Sequence, residues 1–324
     1  MKVIFVASGN KRVGAVSSFV QSQYDSLKKE GLEMRLFPVV GHGVFAHLKA
    51  AWQLRKMVRK EKPDVLHAHY SVCGHVAVMS CVGVRNKPKI VVSVLGSFPE
   101  HKQKKLKLVQ HCVKNLWDAT IVKSNRTAGQ LGLTVNIIPN GVNLEVFHPM
   151  DYTEARKSVG FKQGTKYVIW CSNPERKEKN WPLAKAAVEN VKCKAANVEL
   201  VAVYDKTPQE VATFMNAADC MLLTSDSEGS PNVIKEAMAC NCPIVTTNVG
   251  DVTERLNDLE GCYVVDDDDC RFTDMKKAAE LMADAIVKAL DFGNRTDGYN
   301  RILKDKLEIS QIAKRIIEVY ESIK

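Results

Sequence analysis

Short, continuous apolar runs alternate with helical stretches along the whole of this chain. The first series comprises Val3–Ala7, Met34–Val40, Val65–Ala68, Ile90–Leu95, Thr120–Val122 and Val135–Ile138. A second comprises Tyr167–Cys171, Val198–Val203, Cys220–Leu223, Ile244–Thr246 and Cys262–Val265. Between the runs, apolar residues recur near every 3.6 positions, as at Val16, Phe19, Val20, Tyr24 and Leu27. Strands without polar alternation are buried on both faces, and with intervening helices they make parallel sheets. The fold class predicted is therefore α/β, with two Rossmann-like domains in tandem. Pro139-Asn140-Gly141 and Pro149 supply turn chemistry between the series. The expected division is 1–148, 149–306 and an amphipathic closing helix in 307–324.

Composition excludes several classes. A chain of 324 residues with 45% hydrophobic residues is globular, and no apolar run reaches the roughly 18 residues that cross a bilayer. Met1 to Ala7 is too short for a signal-peptide core and reads as a first strand. The ten cysteines are scattered without a C-x-x-C pair, which fits a reducing cytoplasm, and Cys240-x-Cys242 reads as two buried small hydrophobes. Charge is unevenly divided. Residues 1–150 hold 22 Lys+Arg against 8 Asp+Glu, the remainder 24 against 29, and all eight histidines lie between His42 and His148. Halves of opposite charge point to different partners.

Several motifs fail on inspection. Gly41-His42-Gly43-Val44-Phe45-Ala46 matches a dinucleotide fingerprint, but the next strand ends in His67-Ala68-His69 where an acid is required. Gly9 and Gly14 have P-loop spacing, yet Ala15-Val16 stand in place of the lysine and hydroxyl. Asp266 to Asp269 contains a D-x-D able to hold a divalent metal, although a solvated acidic loop is preferred. The loop Ser8 to Gly14, at a strand's carboxyl end, reads equally as a tight turn or as an anion cradle with Lys11 or Arg12 adding charge.

The strongest segment runs from Leu223 to Ala237, reading LTSDSEGSPNVIKEA. A strand ends, a polar loop follows, and Ser230 is expected to cap a helix with Pro231 at its first position. Glu228 would precede the helix and Glu236 lie within it, roughly 9 Å further along at about 1.5 Å per residue. Amides of Gly229, Ser230, Pro231's neighbour Asn232 and Val233 would meet phosphate or sugar oxygens, and the two acids would accept from hydroxyls. A capped surface helix with two ordinary acids is the competing reading.

Glu228 and Glu236 form an E-x7-E motif, and its context EGSPNVIKEAMACNCPIV closely resembles the family 4 glycosyltransferases of the GT-B fold. Pro63 to Tyr70, Ile137 to Asn143 with Phe147-His148-Pro149, and Asn173 to Asn180 resemble that family's strand-end histidine motif, interdomain junction and basic phosphate loop, in order. The resemblance implies two Rossmann-like domains facing a cleft, the first for acceptor and the second for donor. It implies that Glu236 accepts from ribose hydroxyls and that Glu228 contacts the transferred sugar. Arg176 and Lys179 would neutralise the diphosphate, with Arg176 and Lys177 interchangeable as second cation. Gly14, Gly229, Ser230, Pro231, Asn232 and Val233 would line the donor, and His69 would face the sugar near the acceptor.

Retention of anomeric configuration follows from the resemblance. Fixed cations and a helix N-terminus stabilise a departing diphosphate electrostatically, so no metal or cofactor is expected beyond the nucleotide-sugar donor. His67 and His69 are read as facing opposite sides of their strand, one packed and one exposed, which disfavours a zinc pair. Lys102, Lys104, Lys105, Lys107 and Lys114 lie in one helical segment, and Lys28-Lys29, Arg55-Lys56, Arg59-Lys60 and Lys62 add to the charge. They are solvated helix faces or an adhesive surface for anionic lipid, presenting a lipid-linked or acidic acceptor. Nucleic acid is not expected, since no aromatic platform accompanies them. The predicted activity is sugar transfer to a carbohydrate or lipid-linked acceptor in surface polysaccharide synthesis, in the cytoplasm and peripherally at the inner face of the plasma membrane. A nucleotide-sugar epimerase and a silent sugar-nucleotide-binding subunit are the alternatives.

Overall fold

The structure, a computed structural model, describes residues 1–10, 15–96, 98, 103–193, 197–266 and 274–324. The chain divides into two compact units, Met1–Gly141 with Ile309–Lys324, and Val142–Glu308. The first crossing thus falls at Gly141 instead of near Pro149, and the segment from 309 belongs with the first unit.

The first unit holds β1 (Lys2–Ser8), α1 (Ser18–Lys29), β2 (Glu33–Val39), α2 (Gly43–Glu61), β3 (Val65–His69) and α3 (Ser71–Ser80). It continues through β4 (Lys89–Val94), α4 (Gln103–Asn115), β5 (Ala119–Val122), α5 (Asn125–Leu131) and β6 (Asn136–Ile137). The second unit holds α6 (Tyr152–Val159), β7 (Lys166–Trp170), α7 (Trp181–Lys192), β8 (Val198–Ala202), α8 (Pro208–Ala217), β9 (Cys220–Leu223) and α9 (Asn232–Ala239). Then come β10 (Ile244–Thr247), α10 (Val252–Leu256), β11 (Cys262–Val265), α11 (Met275–Phe292) and α12 (Gly298–Lys304), while α13 (Ile309–Ser322) closes the first unit. Every predicted apolar run is a strand, with ends displaced by at most one residue.

Both sheets are parallel throughout, in the orders β2-β1-β3-β4-β5-β6 and β11-β10-β9-β7-β8. Apolar side chains explain the arrangement: Val3 to Val6 and Val168 to Ile169 are fully buried because helices cover both sheet faces. Each order reverses once, between β1 and β3 in the first sheet and between β7 and β9 in the second. Loops at the carboxyl ends of strands diverge there and leave a crevice suited to a ligand.

α13 is fastened to the first sheet by polar contacts as well as by its buried Ile312, Ile316 and Tyr320. Tyr320 Oη and His67 Nδ1 lie 2.5 Å apart, His67 Nε2 is 2.8 Å from Ser93 Oγ, Ser26 Oγ donates to the Ile309 carbonyl, and Arg315 donates to the Ile137 carbonyl at 2.7 Å. At the other crossing, the Val142 amide donates to the Leu307 carbonyl at 2.9 Å, tying the ends of the second unit together.

The histidine expectation was wrong. Residues two apart on a strand project to the same face, and the His67 and His69 rings stack with centroids 4.6 Å apart, against Phe5. Both are fully buried. No helix is long and apolar enough to cross a membrane among the described residues.

Candidate active site

Two loops meet at the reversal point of the second sheet. One follows β7, contains a 3-10 turn at Lys177–Lys179 and leads into α7; the other follows β9 and leads into α9. They are stitched by a shared set of bonds. Thr224 Oγ1 donates toward the Lys179 and Asn180 carbonyls at 2.9 and 3.0 Å and accepts from the buried Trp170 indole at 3.0 Å. Asn180 Nδ2 donates to Asp226 Oδ1 at 3.0 Å, and the Asp226 amide donates to the Glu178 carbonyl at 3.0 Å. These bonds hold backbone, so side chains on both loops are positioned before any ligand arrives.

The result is an ion pair between Lys179 Nζ and Glu228 Oε1, with both side chains mostly buried. Glu236 lies one helical segment on. Its carboxyl, half-buried beside Cys171 and Cys240, makes no hydrogen bond among the described residues. Burial pushes it up to about 7, and the charges of Lys235 and Lys179 offset part of that rise. A partly desolvated carboxylate without donors is placed to accept from hydroxyls, which would replace the water it has lost.

The segment between these acids is fixed from beneath. α9 begins at Asn232, with Pro231 in the capping position and no side-chain cap. Ser230 therefore is not the cap that its sequence suggested. Its hydroxyl donates to Asp251 Oδ2 at 2.8 Å and accepts from Lys235 Nζ at 2.7 Å. Lys235 also reaches the Ser230 and Pro231 carbonyls at 3.4 and 3.3 Å, and Arg255 Nε donates to Asp251 Oδ2 at 2.9 Å. Lys235 and Asp251 are buried; desolvation lowers the lysine and Asp251 opposes the shift. The hydroxyl faces inward because two buried charges need a polar bridge. Gly250, at φ +61°, passes so close that a Cβ would stand 2.7 Å from the Gly229 carbonyl oxygen.

Comparison with known proteins agrees with this architecture. The family model for Glycosyltransferase Family 4 matches residues 11–146, and that for glycosyl transferases group 1 matches residues 155–291. The chain belongs to the family 4 glycosyltransferases. D-inositol 3-phosphate glycosyltransferase of Pseudarthrobacter chlorophenolicus is 23% identical over 326 residues, spanning 76% of this chain and 77% of that protein. The lipopolysaccharide core biosynthesis mannosyltransferase LpsB of Rhizobium meliloti is 26% identical over 238 residues, 64% of this chain and 66% of that one. HepE of Anabaena, solved with UDP and glucose, superposes with a TM-score of 0.71 at 15% identity, covering 99% of this chain and 100% of that chain. The fold is the two-domain GT-B fold.

Within this glycosyltransferase the other expected residues are placed as follows. Gly229, Asn232 and Val233 lie on the loop and first turn of α9, with Ser230 and Pro231 between them. Arg176 is exposed and donates from Nε and Nη2 to Glu178 Oε1 at 2.9 and 2.6 Å, an ion pair within its own loop that holds the Glu178 carboxyl low. Lys177 is exposed in the 3-10 turn. His69, at the carboxyl end of β3, has neither ring nitrogen hydrogen-bonded among the described residues; burial, aided by the Lys123 charge, pushes it down to about 3, so its ring is neutral. Gly14, Lys11, Arg12 and Lys102 lie outside the described residues, as do Asp267 to Asp269. Asp266 is exposed and accepts from Asn248 at 2.7 Å. Cys240 and Cys242 are buried thiols, as read from sequence.

Sequence reasoning missed Thr224, Asn180, Lys235, Gly250 and Asp251. A lysine inside an otherwise apolar helix face and a Gly-Asp pair just past a strand were the available signals for the last three.

Proposed function

We propose that this glycosyltransferase takes a nucleoside-diphosphate sugar on its second unit and passes the sugar, with retention of configuration, to a carbohydrate or lipid-linked acceptor. The observation carrying this reading is the Lys179–Glu228 ion pair beside the unpartnered Glu236 at the carboxyl end of β7 and β9. Glu236 accepts from the ribose hydroxyls. Lys179, with Arg176 released from Glu178, takes the charge that develops on the leaving diphosphate, and the amides at the start of α9 add to it. These groups act without a metal. Glu228, freed from Lys179, binds hydroxyls of the sugar.

Retention by double displacement needs a carboxylate nucleophile at the anomeric carbon. Glu228, the one acid of this loop read as able to serve, is instead taken up by the sugar hydroxyls, so front-face departure and attack are favoured, the diphosphate taking the acceptor proton. The similarity to LpsB, named for lipopolysaccharide core biosynthesis, supports a role in surface glycoconjugate assembly, which this reading places at the cytoplasmic side.

Thermal shift with UDP, GDP, ADP, dTDP and NAD, first without and then with magnesium, tests the donor. One diphosphate at 100 times its Kd stabilises by about 2.7 kcal/mol. A shift with NAD alone overturns the reading, as does a glycosyl adduct trapped on Glu228 for the front-face step. Release of free nucleotide with an altered sugar and no acceptor would instead mark an epimerase.

A further inference from the structure

The outward face of α2 is apolar at one end and basic at the other, and none of the described residues covers it. Phe45 is 88% exposed, Val44 72%, Trp52 58% and Leu48 49%. These residues share one helical face because, at about 100° per residue, Val44, Leu48, Trp52 and Phe45 fall within an arc of about 100°. The opposite face is conventional: Ala50, Ala51, Leu54 and Val58 are buried against the first sheet and α3. Burial of one face explains why the segment is a helix, but it does not explain an aromatic and aliphatic outer face. Four large exposed apolar groups in three turns are unusual for a solvated helix.

What covers them is indicated by charge. Lys49, Lys56, Arg59 and Lys60 are exposed on the same helix, Arg55 is half-buried beside them, and no acid occurs between Gly43 and Lys60. The Lys56 ammonium sits 3.5 Å above the Trp52 ring, coupling the apolar end to the basic one. An amphipathic arrangement of Trp, Phe and Leu followed by cations suits the boundary of an anionic bilayer, where rings enter the headgroup level and ammonium and guanidinium groups meet phosphate. Protein partners with that face would need an acidic, apolar groove, which a leaflet supplies everywhere.

We infer that the α2 face Val44, Phe45, Leu48 and Trp52, with its trailing cations, docks this unit on an anionic lipid surface. The lysines of α4 differ from it: Lys104, Lys105, Lys107 and Lys114 are exposed but accompany only Leu108 as a large exposed apolar residue of that helix. Position gives the docking a purpose. α2 starts just after β2, and its preceding turn is tied to the loop after β1, with the Gly41 amide donating to Asn10 Oδ1 at 2.7 Å and Asn10 Nδ2 donating to the Gly41 carbonyl at 3.1 Å. The apolar end of α2 therefore lies at the carboxyl edge of the first sheet, on the His69 side of its strands. This rests on the lipid-linked form of the acceptor proposed above, whose sugar-bearing end would be reached from the membrane surface.

Sedimentation with phosphatidylcholine vesicles, with and without phosphatidylglycerol, tests the inference, with tryptophan emission recorded in parallel. Wild-type protein is expected to pellet with phosphatidylglycerol vesicles, less so in high salt, with a blue shift that Trp52→Phe removes. The pair Phe45→Asp and Leu48→Asp is expected to lower vesicle affinity at least about tenfold, from the burial value of such side chains. A charge-reversed α4 (Lys104→Glu, Lys107→Glu) is expected to keep the blue shift. No pelleting by a wild-type protein that still shows its nucleotide thermal shift overturns the docking and leaves the donor reading intact. Equal pelleting by the Asp variant overturns it too. So does an oligomer, seen by sedimentation velocity without lipid, that the Asp variant dissolves, since the face would then belong to a second copy.

Discussion

Lys179 and Glu228, offered by turns after two neighbouring strands, neutralise each other at the reversal point of the second sheet. A ligand bearing a diphosphate competes with Glu228 for the ammonium, and a ligand bearing a sugar competes with Lys179 for the carboxylate. Glu228→Gln removes only the second of these roles. It is expected to leave UDP-type diphosphate affinity equal or higher while sugar transfer falls at least about tenfold. Lys179→Ala removes the charge-assisted contact, worth about 1.5–3 kcal/mol, and is expected to weaken both. Calorimetric titration with the nucleotide, alongside initial rates, separates the two.

Glu236 gives a pH dependence whose sign is fixed. Its carboxyl titrates near 7 in the folded protein and near 4.5 when unfolded. The stability tied to its protonated form is complete below 4.5, falls as pH rises to about 7 and is flat above. Glu236→Gln is thus expected to be more stable than wild type at pH 8, by up to about 3 kcal/mol, with the two converging toward pH 4.5. Ribose binding requires the ionised form, so donor affinity of the wild type should drop about tenfold per unit below pH 7. The Gln variant should bind more weakly with a flat profile. Melting curves and titrations at four pH values decide both.

Gly250→Ala puts a methyl group against backbone. At φ +61° the new Cβ stands 2.7 Å from the Gly229 carbonyl oxygen and 3.0 Å from its carbon. Neither neighbour is a flexible side chain, so the loop itself must move. A loss of about 1–3 kcal/mol in stability and a measurable rise in donor Kd are expected, read by denaturant unfolding and titration.

Lys235→Met takes one charge out of a buried network and leaves the Ser230 hydroxyl with one partner fewer, while Asp251 keeps its bonds from Ser230 and Arg255. Losing a hydrogen bond to a charged group costs about 1.5–3 kcal/mol. The double variant Lys235→Met with Asp251→Asn is expected to recover part of that loss but not donor affinity, because Ser230 is no longer held from both sides. A double-mutant cycle on unfolding midpoints checks the coupling.

The architecture was legible because continuous apolar runs have few other solutions, and strand ends followed directly from where those runs stop. The placement of Glu228 and Lys179 in loops at strand ends, and of Glu236 one helical segment on, was legible because each follows directly on an apolar run. Ser230 misled because Ser-Pro before a helix is ordinary capping chemistry; only the fold brings Asp251 and Lys235 to its hydroxyl, from segments that local spacing cannot connect. The histidine pair misled for a simpler reason, a period of two applied as though it were one. Exposure of Phe45 and Trp52 was invisible, since periodicity marks an apolar stripe without saying which stripe the sheet takes.

α13 lies in the first unit although the chain reaches it only after the whole second unit has been traversed. The last helix to be made is therefore one that the first unit needs. Until Ile309–Ser322 clears the ribosome, the His67 ring has no Tyr320 and the Ser26 side of α1 stays bare. A cut in the chain after Glu308 would therefore spare every residue of the second unit and strip from the opening half the one helix that closes it, so the two halves are unequally exposed to loss of the same short segment.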